Sequence, residues 1–431
     1  MTLTGPADLT QVLASAGASA DLAGPVAETL GPEASGLLTN DPWRLLDVRV
    51  VRPEQADAFA REVLGGASPG DPRRGAALVS WHLRRAAADG HTAVPEPLVH
   101  AALAGQGVTE PGAAVGAARD DGRVLSVGGL LAGADLAYAE DAVAEGLLRL
   151  TAAAEPLEIT SDGAADPLLE TVATHGVVLV ESPYEARLGP VESVLVRLPA
   201  VRLVDRAELL DVPAAASLVE SLADGDRLVL AGDPGLLPPA GPGRVLVDGI
   251  ASGRFPVVTR EPARSPVGDL VTALRAGHLP DVDDTDRAVV VLPTTDQAAA
   301  DLVVRVVAES VPRVHGVDPD DVVVVAPRRR GVAGAAALDA ALTARLGPRA
   351  GPRARCVHEA HAEGSRWPAV VVVLPAEATG VLSRALVATA CSLADRHVCV
   401  VAAAGPVLRD AVRRTPVRHR TTRLAALLRA G

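Results

Sequence analysis

The run WPAVVVVLP at residues 367–375 decides the fold of this chain. Its four consecutive valines leave no polar face, so the segment predicts a strand that is buried on both sides. Three similar runs share this part of the sequence: RAVVVLP at 287–293, DDVVVVAP at 320–327 and RHVCVVAAAG at 396–405. Stretches with helical spacing separate some of them, namely 297–311 and 334–347. Buried strands that alternate with helices predict a parallel α/β sheet.

The middle of the chain repeats this pattern. Apolar runs at 176–182 (GVVLVES), 192–199 (ESVLVRLP), 200–206 (AVRLVDR) and 227–234 (RLVLAGDP) predict four further strands, and 211–225 predicts a helix. We therefore expect two α/β domains, at 168–275 and 276–431, split near residues 276–286. Residues 151–167 are expected to form a linker.

The front of the chain has a different character. Apolar residues at helical spacing, punctuated by Gly, Pro, Asp and Asn, predict an all-α region up to about residue 105. The segment GRVLSVGGLLAG at 122–133 predicts a β-hairpin with a Gly-Gly turn, followed by a helix. Helices followed by a hairpin suggest a winged-helix unit, so we expect domains at 1–65 (helical) and 66–150 (winged helix).

Composition excludes several kinds of chemistry. The 431 residues contain no lysine, so all 41 basic residues are arginine. A phosphate-loop lysine and a Schiff-base lysine are therefore impossible. The net charge of −12 opposes the field of nucleic acid, so only a local arginine surface could bind a phosphate backbone.

Cysteine content and hydropathy favour a cytoplasmic protein. The three cysteines provide no disulfide framework. The first residues lack the features of a signal peptide, and no apolar run approaches the ~20 residues of a membrane helix. Cys356, His358 and His361 resemble half of a metal site, but zinc requires four ligands, so we expect no metal there.

The segment AGDPGLLPPAGPGRVL at 231–246 resembles the G-D-x-x-Q-L-P-P-V-G-P-G motif of RecD-like superfamily-one DNA helicases. Further stretches resemble other motifs of that family in the same order. They are LVDRAELLDV at 203–212, APRRRGVAGAAALDAAL at 326–342, HAEGSRWPAVVVVLP at 361–375 and LSRALVATACSLADRHVCVV at 382–401. The front resembles the helix-hairpin-helix and winged-helix region of the long family members. The resemblance implies two RecA-like (P-loop NTPase-type) domains behind that front.

The resemblance also identifies departures at the catalytic positions. The family's catalytic Glu is replaced by Arg206, its γ-phosphate-sensing Gln by Leu236, a second Gln by Glu363 and its final-motif Arg by Leu393. No Gly-rich phosphate loop follows the strand at 176–182, where the sequence continues as PYEARLGP. The first RecA-like domain is therefore expected to be truncated, and no catalytic residue set is intact. Loss of one such group alone costs on the order of 10²–10³ in rate.

At other positions, the sequence has residues that could bind a nucleotide or DNA. Asp205, Asp233 and Arg260 are the candidate remnants of a magnesium and nucleotide site, and no cofactor is expected unless ATP and Mg²⁺ still bind there. The candidate DNA contacts are Arg328, Arg329, Arg330, Gly364, Ser365, Arg413, Arg414, Arg418 and Arg420. In the front region, the family's hairpin G-I-G reads Val51-Arg52-Pro53, which makes DNA contact there doubtful.

Three functions stay open at this point. The leading hypothesis is a non-catalytic RecD-like protein that acts as a DNA-associated or protein-binding accessory in DNA recombination or repair. Its partners would be single-stranded or forked DNA or a protein of DNA metabolism, and no membrane. The alternatives are an ATP-dependent 5′-to-3′ DNA helicase, which is the only enzyme among the three, and an interaction scaffold without DNA binding.

Overall fold

The computed structural model describes residues 6–159, 166–182, 188, 190–261, 264–280 and 287–431, except the side chains of residues 6–8 and 190. The chain divides into two units. The front unit comprises residues 1–141, 241–243 and 420–423. The α/β unit comprises 142–240, 244–419 and 424–431.

The front unit is mainly helical. Its helices are α1 (Pro6–Ser15), α2 (Ala23–Leu30), α3 (Ala34–Asn40), α4 (Pro53–Leu64), α5 (Pro72–Ala88), α6 (Glu96–Gly105) and α7 (Pro111–Asp120). Two short 3₁₀ turns, Ala20–Leu22 and Pro42–Asp47, lie between them. The helices from α1 to α7 pack around one hydrophobic cluster that runs from Leu9 to Leu131. The two predicted front domains therefore share one core, since apolar faces from both close on the same side chains.

The predicted hairpin is present in the front unit. Strands β2 (Val124–Val127) and β3 (Leu130–Gly133) pair in antiparallel fashion, and β1 (Val94–Pro95) pairs with β3. Gly128 and Gly129 form the turn with φ of 60° and 77°. Positive φ at both central residues is the requirement of the tightest hairpin turns. The elements of this part follow one another in the order α5-β1-α6-α7-β2-β3.

Helix α8 (Ala134–Ala152) continues from the front unit into the α/β unit. Its second half packs on helix α11 (Val212–Glu220). The Arg149 guanidinium donates to the carbonyl oxygens of Val219 and Leu222 at 3.0 and 2.8 Å. Residues 142–150, which we expected in a winged-helix domain, therefore belong to the α/β unit.

The first α/β sheet has four parallel strands in the order β5-β6-β4-β7. These are β4 (Val177–Glu181), β5 (Val201–Val204), β6 (Arg227–Gly232) and β7 (Val257–Thr259). The helices around it are α9 (Pro167–Thr174), α10 (Pro190–Leu195), α11 and α12 (Val245–Ser252), with a 3₁₀ turn at Ala207–Leu209. Helix α13 (Pro266–Arg275) follows them in the chain, but its buried side chains lie in the core of the second α/β sheet. Leu157 and Ile159 of the expected linker pack against this core.

One predicted strand of this domain is wrong. The run ESVLVRLP forms the helix α10, not a strand. Val191 and Leu195 are buried in the core of the domain, and Leu198 packs against it, whereas Val196 is 65% exposed. Apolar residues at i, i+4 and i+7 face one side of a helix, and here that periodicity outweighs the β propensity of valine.

The second sheet has five parallel strands in the order β10-β9-β11-β12-β8. They are β8 (Val289–Pro293), β9 (Val322–Ala326), β10 (Ala354–Cys356), β11 (Trp367–Leu374) and β12 (Ala394–Ala402). Val370 and Val372 enter the core on one face, whereas Ala369, Val371 and Val373 enter the core on the other. This alternation confirms the prediction of a parallel strand that is buried on both sides.

Helices cover both faces of the second sheet. They are α13, α14 (Asp296–Arg305), α15 (Val311–His315), α16 (Ala335–Leu346), α17 (Val357–Ala362), α18 (Arg384–Ser392) and α19 (Pro406–Arg414). The last helix, α20 (Leu424–Ala430), packs on α12 of the first α/β domain. A π-helical turn, Val306–Ser310, joins α14 to α15, and 3₁₀ turns lie at Pro319–Asp321 and Ala376–Val381. Among the residues that the structure describes, no helix combines the length and the apolarity needed to cross a bilayer.

Candidate functional site

The carboxyl ends of the first sheet's strands place three of the predicted residues. Asp205 follows β5, Asp233 follows β6 and Arg260 follows β7. In parallel α/β sheets, this edge is where ligands bind. The three predicted residues therefore lie at the edge where such sheets bind ligands, but the contacts around each residue are not those of an open site.

Arg206 lies where the family carries its catalytic Glu. Its backbone is left-handed, with φ of 57°, and its amide donates to Asp205 Oδ1 at 2.9 Å. The guanidinium donates to His361 Nδ1 at 2.7 Å and to the His361 carbonyl oxygen at 2.9 Å. His361 belongs to α17 of the second α/β domain, so Arg206 bridges the edges of the two sheets.

His361 is a buried, neutral hydrogen-bonding residue. Because Nδ1 accepts from Arg206, the ring proton resides on Nε2, which donates to the Leu237 carbonyl oxygen at 3.3 Å. Burial and the nearby Arg206 charge lower the pKa of His361 to about 3. Both ring nitrogens of His361 are thus engaged within the protein. Within the described ranges, no group of three or more His, Cys, Asp and Glu side chains could hold a metal ion.

Glu208 is the residue of this edge that sequence reasoning missed. Its side chain is 5% exposed, accepts a hydrogen bond from the Asp233 amide at 3.2 Å and lies 3.5 Å from Arg206 Nε. Burial raises the pKa of Glu208 to about 7. The signal in the sequence was an acidic residue where the resembling motif D-E-A-S-M-L-D has a serine.

Asp233 is held by the protein itself. Its Oδ1 lies 2.9 Å from Arg275 Nη2 and accepts from the Gly235 amide at 2.8 Å. Only 4% of the residue is exposed. A magnesium ligand has to present oxygen atoms to the ion, and this carboxylate is instead bonded to a guanidinium and to the backbone.

Arg260 is also paired within the protein. Its two terminal nitrogens donate to the two carboxylate oxygens of Asp166, each at 3.0 Å. Asp166 Oδ1 additionally accepts from the Leu168 amide and so caps helix α9. Arginine offers the same bidentate geometry to a phosphate, and here the anion that it contacts is the Asp166 carboxylate.

The absence of a Gly-rich phosphate loop concerns residues that lie mostly outside the described part of the chain. Residues 183–187 and 189 of PYEARLGP belong to that gap, as do residues 262–263 near Arg260. The loop interpretation therefore rests on the sequence alone, which contains neither a lysine nor a Gly-rich stretch at 183–190.

Leu236 and Leu393 replace polar family positions with apolar packing. Leu393 is 2% exposed in the core of the second sheet, and Leu236 packs against the same core. Next to Leu236, the Leu237 amide donates to Thr389 Oγ1 of α18 at 2.8 Å. Both side chains are thus part of an apolar core and offer no polar group to a phosphate.

The Glu363-Gly364-Ser365 segment follows α17 and is exposed. Glu363 forms an ion pair with Arg355. Gly364 has φ of +74°, and a Cβ at that position would lie 3.1 Å from Arg206 Nη1. The glycine therefore leaves room for the Arg206 guanidinium, and Ser365 stays accessible from solvent.

The loop Arg328–Arg330 follows β9 and is exposed. Arg328 Nη1 donates weakly to the Glu377 carbonyl oxygen at 3.4 Å, and Arg329 Nη1 lies 3.2 Å from Glu359 Oε1 with 73% of its side chain exposed. Arg330 makes no ion pair with any described residue. Glu377 belongs to the 3₁₀ turn Ala376–Val381, against which helix α19 also packs.

Helix α19 and the chain after it present the tail arginines. Arg413, Arg414 and Arg418 are all exposed. Arg414 lies 3.4 Å from Asp410, with both side chains at least 60% exposed. The Arg384 guanidinium donates to the carbonyl oxygens of Val412 and Arg413 and so anchors the end of this helix.

Arg420 makes its side-chain hydrogen bonds within the front unit. Its Nη1 donates to the Gly241 and Gly243 carbonyl oxygens at 2.9 and 2.8 Å. The Gly243 amide donates to the Gly90 carbonyl at 2.9 Å. The Gly-Pro-Gly turn at 241–243, the residues before β1 and the segment 420–423 are therefore joined at one place.

The eroded hairpin Val51-Arg52-Pro53 begins helix α4. Val51 is buried, and Pro53 occupies the first helical position. The amide of Arg52 donates to Gln55 Oε1 at 3.0 Å. A backbone donor that the family's glycine hairpin offers to phosphate is thus used to cap the helix.

Comparisons with known proteins give structural neighbours of this chain and a family match for its front residues. Two solved structures of the arterivirus nonstructural protein 10 helicase are similar to it. The protein alone has a TM-score of 0.29 and 12% identity, over 66% of this chain and 71% of that chain. Its complex with DNA has a TM-score of 0.30 and 14% identity, over 67% and 70%. Residues 4–93 match the family model of the helix-hairpin-helix domain of ATP-dependent RecD2 DNA helicases. The chain therefore begins with a helix-hairpin-helix domain of the RecD2 type.

Proposed function

We propose that this protein is a non-catalytic relative of RecD-type helicases that acts as a DNA-associated accessory of DNA metabolism. The observation that carries the proposal is the pairing of the arginines at the candidate nucleotide edge. Arg206 is bonded to His361, Arg260 to Asp166 and Arg275 to Asp233. Each of these three guanidinium groups already has an anion or an acceptor inside the protein.

The same edge does not fit a magnesium ion with a nucleotide. Phosphoryl transfer requires a metal carboxylate, a group that positions water and cations on the γ-phosphate. Asp205 is exposed beside the cationic Arg206, and Asp233 is bonded to Arg275. To bind a nucleotide, the protein would have to break the contacts of Arg206, Arg260 and Arg275 at the same time. We therefore propose no hydrolysis of ATP at this edge.

ATP turnover tests the non-catalytic part of this proposal. We expect no ATP hydrolysis by the full chain above that of the Asp205→Ala variant, with or without single-stranded DNA. DNA-stimulated turnover that exceeds the variant would contradict the proposal and favour the active helicase.

The exposed arginines of the second α/β domain support the DNA-associated part. Arg330, Arg413 and Arg418 are exposed and form no ion pair with any described residue. The loop at 328–330 and helix α19 both lie beside the turn Ala376–Val381. Guanidinium groups without a protein anion are the groups that release counterions on binding phosphate.

Fluorescence anisotropy with single-stranded, double-stranded and forked DNA, at low and at moderate salt, tests this part. We expect binding that weakens steeply with salt. No binding to any of the three DNAs at low salt would contradict it, and the scaffold without DNA binding would then be favoured.

A further inference from the structure

A cavity of about 470 Å³ lies at the free edge of the second sheet. Strand β8 is the outermost strand there, and the cavity opens between it and the helical segment 296–315. Four consecutive residues of β8, Val289–Leu292, line it. Because side chains alternate between faces, contact with consecutive residues places the cavity along the edge of the strand.

The helical segment that lines the cavity contains a π-helical turn. This turn, Val306–Ser310, precedes Pro312, whose ring would clash with the carbonyl four residues earlier in a regular helix. π-helical turns occur frequently at functional sites. Val306, Ser310 and Val314 of this segment line the cavity, so its wall is apolar with one hydroxyl.

The charged lining of the cavity has one sign. Arg287 and Arg313 line it together with His315 and His397, and none of the described residues that line it is acidic. The chain as a whole carries 53 acidic and 41 basic residues. A cationic rim on an acidic protein selects against cations and for an anion.

The basic groups are held in place by contacts with each other. The His315 and His397 rings are stacked, with centroids 4.1 Å apart. His397 is 3% exposed, and its Nδ1–H donates to the Arg287 carbonyl oxygen at 3.0 Å. Arg287 itself has a left-handed backbone, with φ of 56°. The bond from His397 thus fixes a strained residue at the rim.

We propose that this cavity binds a small amphipathic anion, with an apolar body against the valines of β8 and the π turn and an anionic group at Arg287 and Arg313. The volume lies within the ~300–1,000 Å³ of small-molecule sites, which combine apolar walls with a few convergent polar groups. This site is separate from the candidate nucleotide edge and does not depend on the proposed function.

The test uses anilinonaphthalene sulfonate, a fluorescent apolar sulfonate, with the full-length protein. We expect one molecule to bind per chain, and octanoate to displace it at least about tenfold more effectively than octanol, because octanol lacks the charge. No saturable binding, or equal displacement by the acid and the alcohol, would overturn the proposal.

Three variants locate the binding. The double variant Arg287→Ala/Arg313→Ala should weaken binding at least about tenfold, and Ser310→Phe should abolish it by filling the cavity. The matched control, Arg305→Ala/Arg345→Ala, removes two exposed arginines of the same domain that do not line the cavity. Equal losses in the control and the first double variant would overturn the proposal. Circular dichroism of each variant verifies folding. If Ser310→Phe unfolds, the variant Arg287→Ala/Arg313→Ala still tests the proposal, because both arginines are exposed and their loss leaves the core unchanged.

Discussion

At the scale of single residues, Arg206 determines the chemistry of the candidate nucleotide edge. It places a cation where the resembling helicases have a carboxylate, and its guanidinium is bonded to His361. The neutral imidazole accepts this bond because burial keeps the ring unprotonated. Glu208 lies beside the same guanidinium as a buried carboxyl group with a raised pKa. These three side chains stabilise the edge without a nucleotide.

The substitution Arg206→Asn should destabilise the protein by about 1–3 kcal/mol, because it leaves the buried His361 acceptor without its donor. Asparagine tolerates the left-handed backbone of residue 206, so the change reports on the guanidinium. Urea denaturation measures the loss. The control is Arg202→Asn, at an exposed position of the preceding strand β5. An equal loss in both variants would show that the His361 contact contributes nothing.

The raised pKa of Glu208 predicts that the free energy of unfolding depends on pH. Its pKa is about 7 in the folded protein, against 4.5 for an unperturbed glutamate, so the folded state holds the proton more tightly. The resulting stabilisation is fully present below about pH 4.5 and is lost as the pH rises through about 7. Between pH 5 and pH 8, the wild type should lose on the order of 2–3 kcal/mol more than Glu208→Gln. Urea denaturation at both pH values measures this, and identical pH dependence of the two proteins would refute it.

At the scale of elements, two segments differ in how well local sequence predicts their structure. The hairpin at 124–133 follows its Gly-Gly turn, because only residues that tolerate positive φ can close it. Helix α10 has valines that favour a strand, but its apolar residues repeat with helical spacing. Its core contacts on one side decide the structure, since β propensity is weaker than burial.

Two glycines of the front unit should respond to alanine in opposite directions. Gly128 has φ of 60° in the hairpin turn, and alanine there should destabilise by about 1–2 kcal/mol. Gly116 lies within α7 with no atom near the position of a Cβ, so alanine there should stabilise by roughly 0.5–1 kcal/mol. Thermal denaturation of Gly128→Ala and Gly116→Ala compares them. A change of the same sign in both variants would contradict the turn and helix assignments.

At the scale of the whole molecule, charge controls what the protein can bind. A net charge of −12 repels nucleic acid at long range. Attraction must therefore come from short-range contacts of exposed arginines that no carboxylate neutralises. Arg413 and Arg418 meet this condition, whereas Arg260 and Arg275 are paired with acidic residues of the chain.

The triple variant Arg413→Glu/Arg414→Glu/Arg418→Glu should abolish DNA binding, and its salt dependence with it. Three phosphate contacts to a single strand correspond to a slope of roughly −2 in log K against log salt. Fluorescence anisotropy measures both quantities. The control, Arg202→Glu/Arg305→Glu/Arg396→Glu, makes the same change in net charge at exposed positions elsewhere. If the control loses as much affinity, global charge and not this surface governs binding.

The sequence by itself determined most of the strand cores, the Gly-Gly turn and the helical front. These features depend on local patterns: valine runs such as 370–373 are buried wherever they pair, and a lysine that is absent cannot hold phosphate.

Only the tertiary structure decided which side chains meet. His361 is 155 residues from Arg206 in the chain, and Asp166 is 94 residues from Arg260, so no local pattern relates them. The same holds for the raised pKa of Glu208 and for the cationic cavity at β8, since burial and electrostatic fields arise from residues that folding brings together.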